Sequence, residues 1–380
     1  MKKNISRIIL SLGLTGIIAS AHAETTPATN RWSKEQAQQW YDQYPWLVGC
    51  NFIPSNAINQ LEMFQADTWD EKTNDKELKM AHDLGFNFIR VYLHDLAYQA
   101  DPKGFLDRVD QFLALADKHE IKVMLVIFDD CWLDDPKVGK QPEPLPGVHN
   151  SGWLESPGLK VLKQYTKDAS IRKRLETYVK AVLTKFKDDQ RVIIWDLYNE
   201  PGNRPNFRED IHGHTGKAEK INPYKPLLRD VYIWAREVGL SQPVTTCTWS
   251  GNLGREAAEN WADVTSFHNY KTPESLQKEI NQLKKLGRPI ICTEYMGRPR
   301  STFKDCLPIL QKENVAAVNW GFVAGKTNTI YGWDTWEKPG KTPEPKVWFH
   351  DIYRQDGTPF DPAEIELIKA TIRKANKKAK

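Results

Sequence analysis

Cysteine is scarce in this chain of 380 residues: Cys50, Cys131, Cys247, Cys292 and Cys306 are the whole complement. They form no C-x-x-C pair, and no H-x-x-x-H spacing accompanies them, so a zinc-type centre is not expected. His212-Gly213-His214 lies in a polar loop and makes a poor ligand pair. An odd count leaves at least one thiol free. Cys50, Cys247 and Cys292 fall in strand-like runs, where a small buried hydrophobe is the expected role. No G-x-G-x-x-G follows the first apolar run and no phosphate loop occurs anywhere, so a nucleotide cofactor is not expected either. Charge of one sign is also in short supply. The formal net charge is +4 with the signs mixed along the chain. The basic end ANKKAK reads as a solvated tail, and no basic stripe is interleaved with aromatics, which argues against a nucleic-acid partner. There is no Ser/Gly/Pro linker and no internal repeat, as expected for one large domain.

The first 23 residues stand apart. MKKNISR is a basic head, IILSLGLTGIIA a short apolar run, and Ala21-His22-Ala23 a small-x-small cleavage site. This is the pattern of a secretory signal peptide, with an apolar stretch too short to cross a bilayer. The mature chain is expected to begin near Glu24, to be periplasmic or secreted, and to have no membrane association after cleavage. A polar lead-in with one short helix then occupies residues 24–46. Aromatic residues are plentiful, with 14 Trp, 13 Tyr and 14 Phe. Most belong to a large core. Trp132, Trp153, Trp249, Trp333 and Trp336 sit beside Gly and Pro in loops, where a core explains them less well.

From Leu47 onward a rhythm sets in. Apolar runs at 47–52, 86–93, 122–128, 191–198, 243–249, 263–270, 288–295 and 315–322 read as strands, most of them separated by segments of helical period. The helix after the first strand is expected to open at Asn74, with Glu77 completing a capping box and Gly85 ending it. In PKGFLDRVDQFLALADKHE, Phe105, Val109, Phe112, Leu113 and Ala116 share a face. The last helix is expected from Val347 or Ala363. Eight strand-then-helix units with near-continuous apolar strands predict a parallel sheet closed into a single (β/α)8 TIM barrel over residues 47–380. An open doubly wound sheet is the alternative, which the missing glycine fingerprint disfavours. The mature chain exceeds the roughly 250 residues of a bare barrel. The surplus falls in the segments 53–73, 129–167, 201–222 and 323–346. All four follow strands, so all rise from the C-terminal rim.

That rim is where such a barrel builds its active site. Polar and aromatic residues closing the apolar runs are therefore the candidates. They are Arg90, Asp129, Asp130, Asn199, Glu200, Trp249, His268, Tyr270, Glu294, Asn319 and Trp320. Buried carboxylates, an arginine and an imidazole are costly at one barrel mouth unless they satisfy one another. Any one of them alone would more often be a structural ion pair. Two glutamates closing strands four and seven, facing each other across the barrel, are harder to explain that way.

Asn199-Glu200-Pro201, His268-x-Tyr270, Glu294 and Trp320, with Arg90 on the second strand, resemble glycoside hydrolase family 5. The resemblance runs from about Leu47 to the last helix. It implies a retaining glycosidase in which Glu200 is the general acid/base and Glu294 the nucleophile. Arg90 and the Tyr270 hydroxyl would hold Glu294, and Asn199 would meet the sugar 2-hydroxyl. His268 would tune Glu200 or bind sugar, and Trp320 would floor the −1 subsite. Where many members carry a histidine after strand three, this chain reads FDDCW. Asp129, Asp130 and Trp132 there suggest a sugar-binding group with a stacking ring, or equally a loop-closing salt bridge. The stretches IPSNAINQLEMFQADTWD and FDDCW…GVHNSGW look like an exported branch associated with xylanases and furanosidases.

The expected substrate is accordingly plant-type hemicellulose, xylan or arabinoxylan, or its oligosaccharides, acted on by a monomer without metal or cofactor. An exo-acting α-L-arabinofuranosidase or β-D-galactofuranosidase is the alternative on the same scaffold, favoured by long loops over the mouth. A non-catalytic carbohydrate-binding barrel is the alternative of another class. An aldolase or metal-dependent barrel would need a strand-end lysine or a His/Asp cluster, and neither is visible.

Overall fold

The computed structural model describes residues 25–203, 224–249, 253–337 and 343–378. The signal-like segment 1–23 and the His212-Gly213-His214 loop lie outside these residues. Strands β1 (Val48–Asn51), β2 (Phe88–Tyr92), β3 (Lys122–Val126) and β4 (Val192–Asp196) are followed by β5 (Val244–Thr245) and β6 (Cys247–Thr248). Then come β7 (Thr265–Asn269), β8 (Ile290–Tyr295) and β9 (Ala316–Asn319). All pairings are parallel, in the order β5-β4-β3-β2-β1-β9-β8-β7-β6. The fold is the expected TIM barrel, with one difference. The fifth apolar run is broken at Thr246: its first half pairs with β4 and its second with β7. Among the described residues, eight units thus form a nearly closed barrel of nine strands.

Alternation along each strand sorts the side chains into layers. On β2, Ile89 and Val91 point outward into the large cluster packed under the helices. Phe88 points inward at the bottom and Tyr92 inward at the top, with Arg90 between them. The bottom layer joins Phe88, Met124, Ile194, Ile291 and Val318 to Trp40 and Tyr41 of the lead-in helix α1 (Lys34–Tyr41). That helix closes the N-terminal end of the barrel. The top layer is aromatic: Tyr92, Trp153, Tyr270 and Trp320, with Val126.

One helix boundary departs from expectation, while the last helix begins within one residue of Ala363. The helix after β1 spans Glu71–Leu84 and is capped by Asp70, whose side chain accepts from Thr73 N–H. Asn74 and Glu77 are therefore interior residues. Glu77 turns inward to accept from Ser55 N–H at 3.0 Å and Ser55 Oγ at 2.5 Å, tying the loop after β1 to the helix layer. Gly85 ends the helix in the left-handed region, as expected. The last helix starts at Pro362 and runs to Lys378. Among the described residues no helix is long and apolar enough to cross a membrane.

Close packing at the start of β1 leads to a test. A Cβ on Gly49 would lie 1.5 Å from the Phe88 carbonyl oxygen, in the strand it pairs with. Backbone cannot yield there without breaking the β1–β2 ladder. Gly49→Ala should cost about 3 kcal/mol, the upper end for overpacking, read as a lowered urea midpoint with unchanged slope.

Candidate active site

Arg90 occupies the barrel axis with no solvent exposure. Its Nε and Nη2 donate to Asp196 Oδ2 at 3.1 and 2.7 Å. Nη1 donates to Asn51 Oδ1 at 2.9 Å and to Glu294 Oε1 at 3.0 Å, and also reaches the Tyr92 hydroxyl. Nη2 donates to Asn199 Oδ1 at 2.6 Å. A planar guanidinium with five donors suits this many acceptors in fixed directions. Arg90 therefore joins Glu294 as expected, but it shares its charge with Asp196.

Glu294 reaches the axis through a local irregularity. Cys292 points outward into the helix-facing cluster, so strict alternation would send Glu294 outward too. Between β7 and β8 the register shifts: Phe267 pairs Cys292, whereas His268 pairs Glu294. Bulges of this kind re-aim side chains beside functional sites. Once turned inward, Glu294 Oε1 accepts from Arg90 and from the Tyr92 hydroxyl at 2.9 Å. Its Oε2 accepts from the Tyr270 hydroxyl at 2.7 Å. Burial pushes both tyrosines well above their ordinary pKa, so both stay protonated donors.

Asn199 and Glu200 do not end β4 itself. The strand stops at Asp196, and both lie on the turn beyond it. Glu200 has φ +44°, a left-handed conformation uncommon outside glycine and of the kind found where function demands it. Its N–H is held by Cys247 Sγ at 3.1 Å. Its Oε1 lies 2.6 Å from His268 Nδ1, and its Oε2 accepts from Cys131 Sγ at 3.1 Å and from Asn203 Nδ2. Asn199 is clamped so that its amide orientation is unambiguous: Oδ1 faces Arg90 while Nδ2 donates to Asp129 Oδ1 at 2.8 Å.

Glu200, His268 and Glu294 each place one oxygen or nitrogen within 4.8 Å of the others. Two carboxyl groups this close match the separation of about 5–5.5 Å used in retaining glycoside hydrolysis, and fall short of the roughly 6.5–9.5 Å that inversion needs. The same trio could be read as three metal ligands. Arg90 and both tyrosine hydroxyls already occupy the oxygens of Glu294, and a guanidinium beside the trio opposes a cation.

Glu200 and Glu294 line a cleft of about 260 Å³ together with Trp320. Trp320 is held edge-on by Tyr92 and Trp153 at ring distances of 5.7 and 5.2 Å. Trp132, Trp249 and Trp333 line the same cleft, as do Asn199, Tyr270 and the two glutamates. His268 sits beneath it, fully buried.

Asp129 and Asp130 depart from both expectations. Neither lines the cleft, and neither forms a salt bridge among the described residues. Asp129 accepts from Trp153 Nε1 at 2.7 Å and from Asn199, and burial pushes its pKa up to about 7. Asp130 accepts from the Tyr198 hydroxyl at 2.8 Å and from Gly202 N–H at 2.6 Å. Both act as struts for the turn that carries Asn199 and Glu200. Asn319 likewise turns away, donating to the Gly321 carbonyl at 2.6 Å.

Four contributors escaped the sequence reading. Tyr92 and Asp196 lie inside apolar runs, where inward-facing strand positions were the only signal. Cys131 and Asn203 flank the candidate motifs and were legible only as neighbours.

The sequence model of the family described as Cellulase (glycosyl hydrolase family 5) matches residues 49–339. A probable mannan endo-1,4-beta-mannosidase F from Aspergillus flavus is 28% identical over 211 residues, covering 51% of this chain and 42% of that protein. The chain thus spans less than half the length of this curated relative. An endo-beta-1,4-mannanase from Thermotoga petrophila shares the fold with TM-score 0.51 at 15% identity, over 86% of this chain and 77% of its own. An exo-beta-1,4-mannosidase from Opitutaceae bacterium strain TAV5 does so with TM-score 0.57 at 14% identity, over 88% and 60%.

The buried imidazole gives this site a pH signature. Burial pushes His268 down to about 4 from its ordinary 6.5. Between those values the unfolded chain binds a proton that the folded chain refuses, so His268 makes stability rise with pH across that window and level off above it. Going from about pH 7 to about pH 4.5, the wild-type urea midpoint should fall relative to that of His268→Gln. Parallel curves would mean that His268 is not held neutral.

Proposed function

The chain belongs to glycosyl hydrolase family 5; from that premise we propose that it is a glycoside hydrolase that cleaves β-1,4-linked hemicellulose, mannan-type before xylan-type, by double displacement. The observation that carries the mechanism is the pair of carboxylates whose oxygens approach within 4.8 Å above an aromatic floor. Glu294 attacks the anomeric carbon and forms a covalent glycosyl ester. Glu200 donates its proton to the departing glycosidic oxygen, then takes one from the water that breaks the ester. Two inversions restore the starting anomer.

The supporting residues have definite tasks in this reading. Arg90, Tyr92 and Tyr270 aim Glu294 and hold its carboxylate when the ester breaks. His268, neutral above about pH 4, stays in hydrogen-bond range of Glu200 through both proton transfers. The second Nδ2 hydrogen of Asn199, which faces Cys131 Sγ at 3.5 Å, turns to the sugar 2-hydroxyl, a contact that strengthens in the oxocarbenium-like transition state. Trp320 carries the apolar face of the sugar ring, and Trp132 and Trp249 flank it.

Mannan is placed first because the similar proteins are named as mannan-cleaving enzymes. Xylan and arabinoxylan follow from the resemblance of the loops after strands one and three. An exo-acting furanosidase is a second reading, favoured by the small cleft. In each case the enzyme is taken to act as an exported monomer after loss of residues 1–23.

Incubation with mannan, xylan, arabinoxylan and aryl furanosides, followed by product analysis, separates these substrates. NMR of the first-formed product should show the retained anomer, and inversion would overturn the double displacement. Glu200→Ala should lower kcat roughly 100- to 10,000-fold on natural glycosides. On aryl glycosides with good leaving groups, which need no proton to depart, kcat/KM should be spared while kcat still falls, because hydrolysis of the ester has lost its base. Glu294→Gln should abolish turnover on both, and wild-type rates in that variant would remove Glu294 from the mechanism.

A further inference from the structure

The loops after β1, β3 and β9 are hydrogen-bonded into one wall beside Trp320. Asn59 Nδ2 donates to the Gly152 carbonyl at 2.8 Å and Gln60 Nε2 to the Leu154 carbonyl at 3.0 Å. Asn150 N–H donates to the Thr327 carbonyl at 2.8 Å, and His149 N–H to Thr335 Oγ1 at 3.1 Å. Trp132 from the β3 loop stacks on Trp336 from the β9 loop at 5.5 Å and 13°. A cleft bounded in this way has a closed side.

Three polar side chains of the wall line the cleft: His149, Asn150 and His350. Each is 1% exposed or less. His149 Nδ1 lies 2.8 Å from the Tyr331 carbonyl oxygen, and His350 Nδ1 lies 2.5 Å from that of Met296. A carbonyl only accepts, so each ring carries its proton on Nδ1 and keeps Nε2 as an acceptor. His350 Nε2 and Asn150 Oδ1 have no hydrogen-bond partner among the described residues. Buried acceptors without donors cost stability, and folded proteins retain few of them. Here two occur on one cleft wall, and both await an O–H or N–H donor.

We propose that His149, Asn150 and His350 form an end wall that reads the hydroxyl groups of the terminal sugar of a neutral glycan, so that cleavage proceeds from chain ends. The wall stands on the glycone side. The His350 ring lies 5.5 Å from that of Tyr270, whose hydroxyl holds Glu294. Burial keeps both rings neutral, with His149 lowered to about 4 and His350 lowered well below its ordinary value. Neutral acceptors suit hydroxyl donors and give no attraction to a uronate carboxylate. This inference rests on the retaining-glycosidase reading and adds to it the direction of attack.

The test uses mannohexaose and xylohexaose labelled at the reducing end. The wild type should shorten the labelled strand by one or two sugars per event from the unlabelled end. His350→Phe and Asn150→Ala should raise KM about tenfold with kcat little changed, and loosen the product ladder toward internal cuts. If His350→Phe fails to fold, Asn150→Ala and His149→Gln carry the comparison, with folding checked by circular dichroism. Titration with mannobiose and xylobiose, followed by the fluorescence of neighbouring Trp132 and Trp333, should show affinity about tenfold lower in the variants. Internal cleavage by the wild type from the earliest time points would overturn the end wall. So would folded variants with unchanged KM, ladder and affinity. If no glycan is turned over, the reaction assigned above fails, while the titration still decides whether the wall binds sugar.

Discussion

A guanidinium with no access to water sits at the centre of this barrel, and the arrangement of the mouth follows from satisfying it. Stranding Arg90 unpaired would cost far more than a marginally stable fold can bear. It is instead met by Asp196 from β4, Glu294 from β8, Asn51 from β1 and the Tyr92 hydroxyl from its own strand. Asn199, on the turn past β4, completes the set. The geometry of Glu294 and the orientation of the Asn199 amide are thus two ends of one charge-satisfaction problem. Preorganisation here is electrostatic, and it exists before any sugar arrives.

A second layer of support surrounds that centre. Asp129 and Asp130 hold the turn carrying Asn199 and Glu200 by hydrogen bonds, with no ion pair to either among the described residues. Trp153 links the two systems, since its ring packs edge-on against Trp320 while its N–H donates to Asp129. Trp153 thus ties the Trp320 ring to the residue that supports the turn carrying Asn199 and Glu200. At the opposite end, Trp40 and Tyr41 of α1 seal the barrel bottom, so the lead-in is part of the core that the site stands on.

Much of this was legible from one dimension. Eight apolar runs separated by helical periods announce a parallel barrel, and polar residues at the ends of those runs announce its working rim. Glu200, Glu294, His268, Tyr270 and Trp320 were all visible in that way. Errors arose where a residue's role depends on a partner distant in the chain. Asn74 carries a good capping pattern, yet Asp70 takes the cap and Glu77 is used against Ser55 instead. Asp129 and Asp130 have the composition of a ligand-binding pair, but their acceptors are consumed by Trp153, Asn199, Tyr198 and Gly202. Tyr92 and Asp196 were hidden because an inward-facing strand residue looks like any other member of an apolar run until the barrel closes.

Local chemistry determines what lies in the sequence alone: strand and helix periods, the run-ending carboxylates, and the absence of nucleotide or metal-ligand patterns. These depend on residues within a few positions of one another. Only the tertiary structure decides that Glu294 faces inward, because a register shift between β7 and β8 overrides the alternation that would have turned it out. Only the tertiary structure joins His149, Asn150 and His350 into one wall, because loops whose contacting residues His149 and Thr335 lie 186 positions apart meet there. Burial, and with it the charge state of a histidine or an aspartate, belongs to the packed molecule; no stretch of sequence carries it.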